Sequence, residues 1–210
     1  MSGICSITPE MLASLRERVS REMSAERFMH VLAVEQTAAE MARIYCPESE
    51  NAVLAAALLH DVTKEKTFEE QLEILQRYGA DAQLNAPATL HAVTAALVIP
   101  DEFGEYNCAP IIDAVRYHTT GRADMSLIEK IIYLADYIEP TRKYEGCRRL
   151  REAFFSVSLE KMSHSERVEH LDRVILQSLV GTLEHLKEKG GEISPDTQSA
   201  LEFLAQKLKY

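Results

Sequence analysis

Four histidines, His30, His60, His91 and His118, recur at intervals of 30, 31 and 27 residues, each in a segment that reads as a separate helix. Each has an apolar neighbour at helical spacing: Val34 for His30, Ala57 for His60, Ala95 for His91 and Ala114 for His118. That spacing places the ring on the apolar face, so each imidazole points inward. Two carboxylates accompany them: Asp61 closes the run AVLAAALLHD, and Asp136 lies in IIYLADYIEP one turn after Ile132. A single inward histidine is an ordinary hydrogen-bonded core residue. Four, with two acids, place a heavy desolvation burden on a core unless a cation binds them. A helical bundle in which facing helices project ligands toward one point relieves that burden.

The helix signals agree with this reading. Thr8-Pro9-Glu10 places a cap, a first-turn proline and an acid at the front of one helix. A second is expected from about Ser24 to Tyr45, and a third from Glu50 into His60-Asp61. Thr67 with Glu70, Ser126 with Glu129 and Ser163 with Glu166 have the spacing of capping boxes. Ala88 to Ile99 predicts a helix halted by Pro100, and Pro110 opens the one that carries Arg116 and His118. The last long helix is expected to end near Lys189 at Gly190-Gly191, and Ser194-Pro195 starts a final one. The fold class is therefore all-α: a single domain over 1–210, with a metal-site core over about 24–142 and a C-terminal helical appendage over about 144–210. In the appendage, the stripe Val168, Leu171, Ile175, Leu179, Leu183, Leu186 reads as core or as a homodimer surface, and His164, His170 and His185 as solvated.

Composition removes several function classes. A net charge of -10 argues against a nucleic-acid groove, which needs basic patches to neutralise phosphates. No apolar run approaches the roughly 20 residues that span a bilayer, and MSGICSITPEM lacks a signal pattern, so no membrane partner and a cytoplasmic location are expected. Cys5, Cys46, Cys108 and Cys147 form no Cys-x-x-Cys pair and read as buried small hydrophobes. A mixed imidazole and carboxylate set suits iron, manganese, cobalt or zinc better than magnesium or calcium.

In order and spacing, RFMHVLAV, AALLHDVTK, TLHAVTAALV and AVRYHTTGRADMSLIEKIIYLADYIEPTR resemble the HD-domain metal phosphohydrolases, and within them the bacterial YqeK-like symmetrical diadenosine tetraphosphatases. The resemblance covers roughly Arg27 to Arg142. It implies an HD-domain helical bundle with two metal ions, most simply iron. His30, His60, Asp61 and Asp136 would hold one ion, His91 and His118 the other, with Asp61 bridging and catalytic. It further implies that a metal-bridging hydroxide attacks a dinucleoside polyphosphate, cutting diadenosine tetraphosphate to two ADP. Where glycines commonly follow the third histidine of that family, this chain has Ala92 and Ala95, so slightly altered packing is expected there.

Several cations and hydroxyls are candidates for the phosphates. Lys64 follows His60 by four residues and Asp61 by three, and would lie on their side if the helix continues that far. Thr119, Thr120, Gly121 and Arg122 directly follow a candidate ligand and read as a phosphate cradle. Arg142, beyond Pro140, and Arg27, three residues before His30, are further candidates, Arg27 alternatively pairing with an acid. Other readings are a nucleotidase or phosphodiesterase of the broader HD superfamily, a di-iron oxygenase, and a non-catalytic nucleotide-binding protein; all six ligand positions are filled, which disfavours the last.

Overall fold

Local signals decide where the helices of this chain begin. In a computed structural model describing residues 6–81 and 87–209, ten helices form a bundle, and no strand occurs among the described residues. The Thr8 side chain accepts from the Met11 amide to start α1, Pro9–Val19, and Ser24 accepts from Arg27 to start α2, Ala25–Tyr45. All three expected capping boxes are present, opening α4 (Phe68–Arg77), α7 (Leu127–Ile138) and α9 (His164–Lys189). Each such cap contributes about 1 kcal/mol to the register of its helix.

The centre of the bundle is α3, Glu50–Leu59, a helix apolar on all sides. Its alanines, Ala52, Ala55, Ala56 and Ala57, are all buried and keep the helix thin, so α1, α2, α6 (Ala109–Tyr117) and α7 all pack against it. The small side chains thus bring four helices close to the end of α3, where His60 and Asp61 stand. There the helix stops: residues 60–65 form turns, with the Lys64 amide bonded to the Asp61 carbonyl at 2.9 Å.

Two expectations about boundaries need correction. α5 runs Leu90–Glu102 with Pro100 inside it, because the Phe103 amide still reaches the Ile99 carbonyl and only the one bond that proline cannot donate is lost. A helix not expected, α8, spans Glu145–Phe155 and buries Cys147, Leu150 and Phe154. It packs on α9, which in turn carries α10, Pro195–Lys207.

The stripe on α9 is spent inside the chain. Leu171, Ile175, Leu179 and Leu183 are buried, three of them in the same cluster as α2, α3 and α7, so the stripe is core and no argument for a homodimer surface. His164 and His185 are exposed, but His170 is half-buried, its Nε2 3.0 Å from the Phe154 carbonyl and its ring stacked on Phe154. Cys46 and Cys147 are free and buried as expected; Cys108 is instead disulfide-bonded, and Cys5 lies outside the described residues. No helix among the described residues is long and apolar enough to cross a membrane.

Candidate metal centre

The six residues singled out by spacing converge. His30 comes from α2, His60 and Asp61 from the turn after α3, His91 from α5, His118 from the end of α6 and Asp136 from α7. His60, Asp61, His91 and His118 are buried, while His30 and Asp136 keep a little exposure.

Asp61 stands between two sets of imidazoles. Its Oδ2 lies 3.4 Å from His60 Nε2 and 3.8 Å from His30 Nε2, and its Oδ1 lies 3.4 Å from His91 Nε2 and 3.7 Å from His118 Nε2. Asp136 Oδ1 is 3.0 Å from His30 Nε2 and 3.9 Å from His60 Nε2. Donor atoms in two trios, His30-His60-Asp136 and His60-Asp61-His118, lie within 4.8 Å of one another. Ligands bound at about 2.0–2.2 Å are separated by distances of this order.

What turns these rings toward one point is their other nitrogen. His60 Nδ1 is 2.6 Å from the Ala57 carbonyl and His118 Nδ1 is 2.7 Å from the Val115 carbonyl. Each carbonyl accepts an Nδ1–H and leaves the Nε2 lone pair free to ligate, as outer partners of metal-binding histidines do. His30 Nδ1 lies 3.2 Å from Glu139 Oε1, a fully buried carboxylate that also accepts from the Thr141 amide and hydroxyl, both at 2.6 Å. The Nε2 atoms of His30 and His60 are buried without a hydrogen-bond partner, and those of His91 and His118 face each other at 3.2 Å. Lone pairs left so, beside two carboxylates, fit a divalent cation and leave buried polar groups unsatisfied otherwise.

The electrostatics follow from burial and proximity. Desolvation holds His91 down to about 2 and His118 to about 4, with the neighbouring imidazoles His118 and His60 adding to it. Both rings are therefore neutral, the form a metal requires. For Asp61, burial works to raise the pKa but is outweighed by His60, His118 and His91, and the carboxyl sits well below the usual range. Asp136 is held low against burial by the adjacent His30 imidazole and by Arg142. His60 is raised, because Asp61 and Asp136 overcome its desolvation.

The candidate phosphate groups divide. Lys64 Nζ lies 3.3 Å from both ring nitrogens of His91, so it reaches the centre through the turn rather than along a helix, and burial lowers its pKa. Arg27 Nη1 is 3.0 Å from Asp61 Oδ2, and Arg142 bonds Asp136 Oδ1 at 2.6 Å and its carbonyl at 2.9 Å. Both arginines border a cleft of about 820 Å³ that opens onto His30. The expected cradle is a different matter. Gly121 has φ +63° and bonds the Tyr117 carbonyl, ending α6, and a Cβ there would stand 3.3 Å from Ala200 Cβ. Thr120 donates to the Gly121 carbonyl at 2.9 Å. Arg122 is committed to Glu129, the capping acid of α7, and to Asp113 at 3.3 Å, and lines a separate cavity. Thr120, Gly121 and Arg122 thus cap and tie helices here, while the Thr119 Oγ1 is buried without a hydrogen-bond partner.

Glu139 escaped the sequence reading because an acid between a helix end and a proline looks solvated. Arg151 escaped with it. Its guanidinium bonds the carbonyls of Ile138, Glu139 and Arg142, so α8 fixes the chain end that presents Glu139 to His30.

With this geometry in place, comparison with known proteins is informative. Residues 27–141 match the HD domain model. The chain is 34% identical over 181 residues to a symmetrical bis(5'-nucleosyl)-tetraphosphatase of Bacillus subtilis, covering 85% of this chain and 89% of the relative. It is 35% identical over 149 residues to the protein of the same name from Staphylococcus aureus, covering 69% and 76%. A crystal structure of a predicted HD superfamily hydrolase involved in NAD metabolism, from Clostridium acetobutylicum, superposes with a TM-score of 0.81 at 28% identity, over 96% of this chain and 100% of that one. An all-α bundle, four histidines and two aspartates converging in it, and relatives that match along most of their length point the same way: the chain belongs to the HD-domain family, within its symmetrical bis(5'-nucleosyl)-tetraphosphatase branch.

Proposed function

We propose that this HD-domain hydrolase, one domain over 1–210 working in the cytoplasm, cuts diadenosine tetraphosphate into two ADP at two iron ions. His30, His60, Asp61 and Asp136 would hold one and His91 and His118 the other. The observation that carries the reading is the two-sided Asp61, whose Oδ2 faces His30 and His60 while Oδ1 faces His91 and His118. When bound, such a pair of cations polarises a phosphoryl oxygen and brings a water near deprotonation at neutral pH.

The rest falls to the chain's own side chains. The backbone-anchored His60 and His118 rings and the Glu139-anchored His30 ring hold their Nε2 atoms in place without reorganisation. Arg27 and Arg142 steady the two carboxylates and add positive charge at the cleft where polyphosphate would lie. Hydrolysis adds a water oxygen to one inner phosphorus and breaks its bond to the oxygen bridging the two inner phosphates. One ADP leaves with that oxygen, and the water's protons are shared between product and solvent. Lys64, whose Nζ lies 3.3 Å from His91, would stabilise charge growing on the departing oxygen.

The test is product analysis on diadenosine tetraphosphate with iron or manganese supplied and metal per chain quantified. ADP alone and two metals per chain are expected. ATP plus AMP refutes symmetrical cleavage, and no turnover of any dinucleoside polyphosphate refutes the substrate class.

A further inference from the structure

Three of the four converging histidines are oriented by an acceptor behind the ring: His60 by the Ala57 carbonyl, His118 by the Val115 carbonyl and His30 by Glu139. His91 is held differently. Both its ring nitrogens lie 3.3 Å from Lys64 Nζ, and an ammonium has no lone pair to accept an N–H. The ring therefore takes its position from the backbone that carries it. That backbone is the second residue of α5, in a first turn whose amides have no intrahelical acceptor. α5 packs chiefly on α6 and α4, so side chains have to join it to the turn that bears His60 and Asp61.

Two buried hydroxyls make that joint. Thr63 Oγ1 donates to the His91 carbonyl at 2.8 Å and lies 2.8 Å from Thr94 Oγ1. Thr94 Oγ1 is in turn 3.1 Å from the Leu90 carbonyl and 3.2 Å from that of His91. With Thr94 donating to Thr63 and Thr63 to the His91 carbonyl, both 2.8 Å contacts are hydrogen bonds. Thr63 is 1% exposed and Thr94 0%, and a hydroxyl so buried costs free energy unless it is bonded. A valine would fill either place with no polar atom to satisfy. A threonine bonded to its own preceding turn is common in helices, and Thr94 alone would be that. Thr63 is not, because its acceptor lies 28 residues away on another helix.

We infer that the Thr63–Thr94 hydroxyl pair is a positioning device for the second metal ion, holding the backbone of His91 at a fixed distance from Asp61. The inference rests on the two-ion reading proposed above and deepens it. Thr63 follows Asp61 by two residues in the same turn, and Asp61 Oδ1 faces His91 Nε2 at 3.4 Å. The turn thus grips α5 at the very residue whose ring its carboxylate must meet. The candidate ligands of the first ion stand on α2, α7 and this turn, and none of them belongs to α5. Loosening the grip frees His91 from a site that otherwise has only Asp61 and His118, and leaves the first site whole.

The experiment is a manganese titration of the chelator-stripped protein, following ions bound per chain and the electron paramagnetic resonance spectrum, in which a lone ion and a carboxylate-bridged pair differ. Thr63→Val removes the hydroxyl and keeps its volume. It should weaken the second ion about tenfold or more and leave the first within about twofold, so that the lone-ion spectrum persists where the original shows the pair. Thr63→Ser keeps the hydroxyl, loses the methyl and should hold the second ion within about twofold of the original. The reverse order, with serine weakened and valine unchanged, overturns the inference in favour of packing. Equal weakening of both ions in Thr63→Val overturns it as well. Thr94→Val strips the other hydroxyl and should weaken the second ion about threefold; it carries the test if Thr63→Val does not fold, and an unmoved second ion there refutes the pair. Uptake of one ion by the unsubstituted protein fails the two-ion reading and the inference together. Two ions bound alike by the original and by Thr63→Val fail the inference alone.

Discussion

Replacing Glu139 by glutamine keeps the shape of a fully buried side chain and removes only its charge. Oε1 takes the His30 Nδ1–H at 3.2 Å and the Thr141 hydroxyl at 2.6 Å; Oε2 takes the Thr141 amide at 2.6 Å. With the glutamine carbonyl at the Oε1 position, His30 exchanges a charge-assisted hydrogen bond for a neutral one. That difference is about 1–1.5 kcal/mol, or roughly tenfold. The glutamine NH2 then faces the Thr141 amide, donor against donor, and the turn has to shift. The two effects together place the expected loss of metal affinity at about 10–100-fold, the range found when outer partners of ligating histidines are removed. Competition against a chelator of known affinity measures it, with a thermal melt of the metal-free protein as control. An affinity within about twofold of the original, in a variant that still folds, refutes the role of Glu139 in orienting His30.

Three further outcomes are expected. Lys64→Ala should retain its metal and lose about a hundredfold in kcat, as removal of a preorganised charge does; an unchanged kcat by steady-state assay removes its role. Arg122→Ala should leave kcat unaltered but cost about 2 kcal/mol by thermal melting, less than the roughly 3–5 of a fully buried pair, because Glu129 is buried while its partner is partly exposed. A fall in kcat with an unmoved melting temperature would restore Arg122 to the substrate. In the chelator-treated protein, His91 at about 2 and His118 at about 4 lie below their unfolded value of about 6.5. The unfolded chain then takes up protons that the folded one refuses, so their contribution is present above pH ~6.5 and is lost on acidification. His60, raised by Asp61 and Asp136, acts in the opposite sense, but two rings outweigh one. Melting temperature should fall from pH 8 to pH 5, and a rise would contradict the sign.

The meeting of four histidines and two aspartates was legible because apolar periodicity turned the four rings and Asp136 inward, Asp61 adjoins His60, and inward charge demands a partner. Capping boxes were equally readable, since Thr67 with Glu70 or Ser126 with Glu129 fix a helix start by contacts within four residues. The surroundings of Arg122 were hidden for the converse reason. Its residue type suits phosphate, but its partners Glu129 and Asp113 are set by how α6 and α7 meet, which no local pattern encodes. Pro100 misled because a proline forbids one hydrogen bond rather than a helix, and α5 could spare it three residues from its end. Glu139 was hidden by position: only packing distinguishes a buried acid at a helix end from a solvated one.

The Arg151 guanidinium on the carbonyls of Ile138, Glu139 and Arg142 bears on where this enzyme begins and ends. The segment that carries the family signature stops at residue 141, ten positions before the side chain that fastens its last turn. Divergence among such proteins is therefore not free once the signature has ended. A substitution in α8 that alters no ligand and touches no phosphate can still loosen Glu139, and through it the ring of His30. The C-terminal helices and the metal centre are thus bound to change together, although they share no motif.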